Sequence, residues 1–477
     1  MAIDSDVSSF YKGVNAHDPA GSFARGMRWM RAAISCSSTP PKSGFSVFVR
    51  LWSEQGELVV QPCTGFGRPS QMRAGLTAVC AADAVTVGTF PPDSFTRLGN
   101  FMSAERAMAI GGELNGYPLL AYSARTSRQM PAGISDEIFP VQVRHGTPMP
   151  QRVFRAILAA ELLVTEGGPV SSSLLCGREP LASVPPTWAE ARSILWADPA
   201  SHIGVLGGCM LGQFCPQSLL IARSVLEVMI LRQRGIMSVS LSYAQQTKAE
   251  RDVKAFCALR LPADELLDDM DWHNVLYSFM GMFPNSQTGA ARLSEVSVTI
   301  ALAGGADRST VKTQAEAHRI STIRGNIEAL EAAHRQACAL RRLGAVERSP
   351  RPVMAVVLTE ARALIWSTLR LAEVIGEALR EAFLRALLDV PFCLHPDNRN
   401  KSRPYLAGRG RLPWANAGSV PVRTRQNVIM LFPSFDLITM LSHNAKKYDA
   451  EAVDRLDGPR HQGTASRLMR AADAKKG

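Results

Sequence analysis

The 477-residue chain contains no pair of cysteines in a CxxC spacing. Its nine cysteines, at 36, 63, 80, 176, 209, 215, 257, 338 and 393, are odd in number and scattered. That pattern argues against a disulfide framework or a structural zinc site and for reduced thiols, most of them core filler. No apolar run approaches the ~18 residues that cross a bilayer. The polar start "MAIDSDVSSF" is not a signal peptide pattern, so a cytoplasmic protein without a membrane segment is expected. A GxGxxG turn, a P-loop, a nucleophile elbow and a Cys/His arrangement are also missing, which leaves hydrolytic and kinase chemistry without support. A basic strip interleaved with aromatic residues is absent too. The formal charge of +11 therefore points to an anionic substrate or an acidic partner ahead of nucleic acid.

What is present is a globular composition, 46% hydrophobic and 20% charged, well able to bury a core. Residues 1–44 end in the turn-rich "SCSSTPPKSG" and read as an N-terminal extension. Short apolar, β-prone runs then recur: "ELVVQP", "AVTVGTF", "FPVQVRH", "AELLVTEGG", "HIGVLGG", "MSVSLSY", "VLYSFMGMF" and "STVKT". Amphipathic segments such as "PQRVFRAILAA" and "QSLLIARSVLEVMILRQRG" separate them. Strands alternating with helices indicate parallel βαβ units, and eight of them suit a (β/α)8 TIM-type barrel spanning 45–345. A doubly wound sheet is the competitor, but it lacks the glycine fingerprint after its first strand. Residues 346–477 are expected to hold C-terminal helices, an irregular region over 391–435 that serves as a lid or a subunit contact, and a polar tail. One long helix is expected over 354–389, interrupted once by a glycine.

Polar and glycine-rich residues sit at the C-terminal ends of these runs, where a barrel places its functional face. "VRHGTP" offers Arg144 as a fork for a carboxylate, or as a capping ion pair. "VTEGG" offers Glu166 to an ammonium group, with two glycines for close approach to a ligand; a turn with a solvated acid is the plainer alternative. "DSFTR" adds Arg97. Two guanidinium groups and an acid at neighbouring strand ends suit an amino acid with two carboxylates and one ammonium. In "STVKTQAEA", Lys312 and Glu316 stand four residues apart, the spacing of one helix face. His145 and His273 have no partner at metal-site spacing and are expected to pack in the core, so no metal ligand is assigned.

"LNGYP", "VRHGTP", "TEGG", "MGMFP", "ALAGGADRSTVKTQAEA" and "DVPF" occur in an order and spacing that resemble the large (epsilon) subunit of glutamate mutase, also called methylaspartate mutase, over about 58–430. The resemblance implies a (β/α)8 barrel with adenosylcobalamin over its top face. It implies a small separate subunit carrying the cobalamin through a DxHxxG motif, and an assembly of two large and two small subunits. The reaction it implies interconverts glutamate and 3-methylaspartate by radicals. Lys312 and Glu316 match residues that hold the ribose of the adenosyl group. Arg97 and Arg144 match two of three arginines that grip carboxylates, and Glu166 matches the acid that meets the amino group.

Departures gather around the substrate. The third arginine falls at Cys63, two tyrosines fall at Ser172 and Cys176, and the histidine before the MGxFP segment is Tyr277. Three readings stay open: a glutamate mutase using other groups such as Arg68, a related mutase for a different amino or carboxylic acid, or a non-catalytic barrel binding an amino acid or a partner. "DWHNVL", at 271–276, imitates DxHxxG but has Leu276 where glycine is required, so a separate cobalamin carrier is expected.

Overall fold

The computed structural model describes residues 43–177, 180–181, 184–195, 201–344, 355–404, 406, 412, 414–416 and 434–456. Nearly all of the expected N-terminal extension, residues 417–433 and the tail after 456 lie outside these.

Each of the eight β-prone runs overlaps one strand: β1 (Val59–Pro62), β2 (Gly88–Phe90), β3 (Val141–Val143), β4 (Val164–Glu166), β5 (His202–Gly204), β6 (Ser238–Ala244), β7 (Asp271–Tyr277, which begins four residues ahead of its run) and β8 (Arg308–Val311). Almost every strand residue is buried, as expected of a parallel sheet covered on both faces. The strands pair in parallel in the order β1-β8-β7-β6-β5-β4-β3-β2. Just ahead of β2, the Val60 N–H donates to the Val85 carbonyl at 2.9 Å, and the Thr89 hydroxyl donates to Pro62 at 2.9 Å. These bonds bring the last pair of edges together into a (β/α)8 barrel.

The N-terminal end of the barrel is stoppered by helix α1 (Gly44–Glu54). The Phe45 ring lies 5.0 Å from His202 and 6.0 Å from His273, and the Arg308 guanidinium sits 5.1 Å over it. Above this plug runs a polar layer. Arg308 donates to Gln61, to Gln142 at 3.2 Å and to Ser240 at 3.3 Å, and Gln61 donates to Gln142 at 3.0 Å. A guanidinium shut inside a barrel needs partners for its donors; both Nη groups are bonded here, while the buried Nε has no partner among the described residues. His202 and His273 stack below it at 5.0 Å, both held well below the ordinary histidine pKa, first by burial. Both pack in the core, as expected of His273.

Helices cover the outside, and one sector has a second layer. Helix α7 counts in sequence with α2 (Pro69–Cys80), α3 (Phe101–Ala109), α4 (Gln151–Ala159), α5 (Pro169–Cys176) and α6 (Val184–Leu195), and spans Gln217–Gln233. The sequence reads it as amphipathic, yet it is buried all round over 217–231. The reason lies beyond α8 (Ala249–Leu266), α9 (Gln287–Gly304) and α10 (Ile323–Arg342): α11 (Ala355–Leu369) and α12 (Ile375–Leu384) pack over its outer face. The expected long helix at 354–389 is these two, and its break at 370–374 precedes Gly376, which lies inside α12. Gln233 makes the break from outside. Its side chain accepts from the Ile375 N–H at 3.0 Å and donates to the Glu373 carbonyl at 3.1 Å, capping α12.

The described part of the irregular region is tied down. Asp389 accepts from the N–H groups of Asn400 and Ser402, both at 2.6 Å, and Asn398 bonds the backbone of Val390 and Cys393. Helix α13 (Ser434–Leu456) lies along α9, where Asp449 accepts from the N–H groups of Asn285 and Ser286. Among the described residues, cysteines 63, 80, 209, 215, 257, 338 and 393 are thiols and not disulfides. No described helix is long and apolar enough to cross a membrane.

The buried histidines set an acid response. His202 and His273 stay neutral in the fold but take up protons in the unfolded chain below about pH 6.5. The unfolded state then binds more protons, so stability is full above that pH and falls as pH drops below it. Each histidine adds about 1.4 kcal/mol per pH unit to the slope. Equilibrium denaturation at pH 7.5, 6 and 5 should show His273→Gln shallower than the parent by about that amount; equal slopes would contradict the assignment.

Candidate active site

The C-terminal strand ends converge on a cavity of about 520 Å³ whose wall includes Cys63, Arg97, Arg144, Glu166, Tyr277, Lys312 and Glu316. These come from β1, the turn after β2, β3, β4, β7 and the segment after β8. The two arginines, the acid and the lysine anticipated from sequence therefore face one space.

Glu166 ends β4 and is 1% exposed. Arg144 Nε donates to its Oε1 at 2.5 Å, and the Tyr277 hydroxyl donates to its Oε2. The Arg144 guanidinium also lies 5.4 Å from the Tyr277 ring centroid. Burial opposes the Arg144 charge, but Glu166 above all, with Tyr277 and Cys63, keeps its pKa well above the ordinary value. Burial, then Glu166, pushes the Tyr277 phenol well above its usual range, so it remains a donor. The second edge of Arg144 points elsewhere, Nη1 donating to Cys63 Sγ at 3.4 Å.

Arg97 is delivered by a single helical turn, Ser94–Arg97. Asp93 caps it, accepting from the N–H groups of Phe95 at 2.9 Å and Thr96 at 3.1 Å and from the Thr96 hydroxyl. The Arg97 stem crosses Gly146, where a Cβ would stand 3.3 Å from its Cδ.

Lys312 Nζ meets Glu316 Oε1 at 2.6 Å, with the Phe283 ring centroid 5.1 Å from the ammonium. The pair forms as the spacing suggests, but without a helix. Turns occupy 314–318, with Glu316 N–H bonding Thr313 and His318 N–H bonding Ala315, because the chain folds across the barrel mouth before α10 begins at Ile323.

The glycine pair has a role other than ligand approach. At Gly167, φ is +146° and a Cβ would stand 2.5 Å from His145 Nε2; at Gly168 it would stand 2.1 Å from Glu227 Cδ. Both glycines make room for protein neighbours. Glu227 comes from α7 and accepts from Val170 N–H at 2.9 Å and Ser171 N–H at 2.6 Å, capping α5. Burial pushes its carboxyl pKa up, while the Ser171 and Val170 donors pull it down. Sequence reasoning missed Glu227; its signal is a lone acid inside the apolar "VLEVMIL". His145 packs edge-on against Phe154 at 5.0 Å, and burial lowers its pKa to about 3.

Two anticipated residues, Ser172 and Arg68, stand apart from this wall. Ser172 is buried in α5 and does not line the cavity. Cys176 ends α5, but its side chain lies outside the described residues. Arg68 is exposed and lines an adjoining hollow of about 540 Å³, so it does not supply the missing arginine beside Arg144. Instead Arg319, with Met280 and Ile320, joins the lining. Among the described lining residues, arginines 97, 144 and 319 and Lys312 outnumber the acids Glu166 and Glu316, an excess of positive charge.

Fold and wall together define a (β/α)8 barrel protein that gathers charged side chains around a cavity at the strand C-termini. A family model described as "Methylaspartate mutase E chain (MutE)" matches residues 39–430, and the chain belongs to this family. It is 25% identical over 352 residues to the "Glutamate mutase epsilon subunit" of Yersinia enterocolitica, covering 69% of this chain and 71% of that one. It is 24% identical over 408 residues to the protein of that name from Escherichia coli O157:H7, covering 80% and 82%. The corresponding Treponema denticola protein is 22% identical over 406 residues, covering 80% and 81%.

Replacing Glu166 with alanine leaves a largely buried guanidinium without its anion, a loss of about 3 kcal/mol. Denaturant unfolding should show Glu166→Ala destabilised by that order and Glu166→Gln less so, since the amide still accepts hydrogen bonds. Equal stability of Glu166→Ala and the parent would contradict the pairing.

Proposed function

We propose that this glutamate mutase-like subunit is the barrel half of an adenosylcobalamin-dependent carbon-skeleton mutase, converting L-glutamate to 3-methylaspartate. The observation that carries the reading is the convergence of Arg97, Arg144, Glu166 and Lys312 on one cavity. A volume of about 520 Å³ lies within the range of small-molecule sites. The donor set fits the nucleoside portion of the cofactor, because an ammonium donor beside a carboxylate acceptor suits the two hydroxyls of a ribose. When bound, the cofactor supplies the hydrogen-abstracting radical chemistry.

The chain's own residues bind, orient and enclose. Arg97 and the outward edge of Arg144 take carboxylates, with the planar fork fixing the plane of each. Glu166 accepts from the substrate ammonium while Tyr277 steadies its other oxygen. Lys312 and Glu316 hold the ribose near the rim, with Phe283 packed against the lysine. The closed barrel floor excludes water from below. The cobalamin body belongs to a small partner subunit with a DxHxxG motif, and two such pairs form a heterotetramer in the cytoplasm.

A second reading has its own observation. Cys63 Sγ occupies the outward edge of Arg144, and a thiol is a weak acceptor that carries no fork for a second carboxylate. This favours a related mutase acting on a different amino or carboxylic acid. Mixing the chain with such a partner, adenosylcobalamin and candidate acids, then following products by NMR, separates the readings. Methylaspartate from glutamate supports the first, turnover of another acid alone selects the second, and no turnover of any acid leaves a non-catalytic barrel. In an active mixture, Lys312→Ala should raise the apparent cofactor constant roughly ten- to a hundredfold, the worth of one charged hydrogen bond. An unchanged constant would contradict the ribose role.

A further inference from the structure

The opposite end of the barrel gathers a different set of groups. Glu57 lies in the loop between α1 and β1, and His334 and Cys338 lie one turn apart on α10. The i, i+4 spacing in "HRQAC" puts both on one helix face, aimed at that loop. Cys338 Sγ is 3.6 Å from His334 Nε2 and 3.9 Å from Glu57 Oε2. A tetrahedral ion with metal–sulfur, –nitrogen and –oxygen bonds of about 2.3, 2.0 and 2.0 Å spaces adjacent ligand atoms about 3.5 Å apart. Both distances from the sulfur are close to that separation, and all three ligand atoms lie within 4.8 Å of one another.

Their surroundings hold them there. Arg341 grips the other Glu57 oxygen and the Gln55 carbonyl, leaving Oε2 turned towards the thiol. A second partner on a ligating carboxylate is the usual way such a ligand is oriented. Gly56, at φ +77°, lets the loop bend against Arg341, whose Nη2 would stand 3.1 Å from a Cβ there. His334 Nδ1 is buried without a hydrogen-bond partner, and burial holds the ring pKa below the ordinary value. We propose that Glu57, His334 and Cys338 form a site for a zinc-class divalent ion, with a fourth position for water. Thiolate, imidazole and carboxylate together select such an ion over magnesium or calcium. Because Glu57 precedes β1 and α10 follows β8, the ion clamps the first and last strands of the barrel where they pair.

The test is a titration of the full reduced chain with Co²⁺ alone, read by absorption. The site should take one equivalent and give a thiolate-to-cobalt charge-transfer band with tetrahedral visible bands. Zn²⁺ should displace the cobalt and raise the thermal unfolding midpoint. Cys338→Ser and His334→Ala, checked for folding by circular dichroism, should each abolish the spectrum or weaken binding roughly tenfold or more. Absence of the spectrum, or its survival unchanged in either variant, overturns the proposal.

Discussion

A carboxylate shut away from water must find partners or surrender its charge, and Glu166 finds two. Arg144 supplies the opposite charge from β3 and Tyr277 a hydroxyl from β7, so one acid joins three strands at the barrel mouth. Around it the backbone is crowded by design. His145 and Glu227 press so closely on positions 167 and 168 that no side chain fits at either. The cavity wall therefore inherits its shape from packing behind it, and its charge from a pair formed within it. A ligand for Arg144 approaches by the edge that faces Cys63, because the other edge is taken.

The barrel is strongly polarised along its axis. At the floor, Phe45 and the stacked His202 and His273 sit under a guanidinium hydrogen-bonded to the amides of Gln61 and Gln142 and the hydroxyl of Ser240. At the mouth, cations and acids are mixed and partly wet. The two ends are built from the same strands, since successive inward-facing residues climb from one layer to the next. Outside, α11 and α12 seal α7 from solvent, which frees that helix to carry Glu227 inward as a cap for the β4–α5 turn.

The strand set was legible because each strand is a short apolar run bounded by polar or glycine-rich turns, and parallel barrels enforce that pattern on all eight. Arg97, Arg144, Glu166 and Lys312 were legible for the same reason: a strand's C-terminal end has one destination. What local sequence did not show depends on neighbours distant in the chain. Gln233 breaks a helix more than a hundred residues away, and periodicity contains no trace of it. The Gly167–Gly168 pair reads as a ligand cradle until Glu227 arrives from α7. Lys312 and Glu316 were rightly paired, but by a turn that the barrel mouth imposes. Arg68 is close to Cys63 in sequence yet faces a different hollow, because the chain bends at 67–68 as it enters α2.

One consequence follows from the stoppered floor. Depth along the mouth is graded: the Glu166 side chain is 1% exposed, Lys312 14% and Glu316 31%. On the proposed function, a small guest lodged beside Glu166 enters before a bulkier body settles across the rim and leaves after that body withdraws. Admission and escape thus form a queue, imposed by geometry alone.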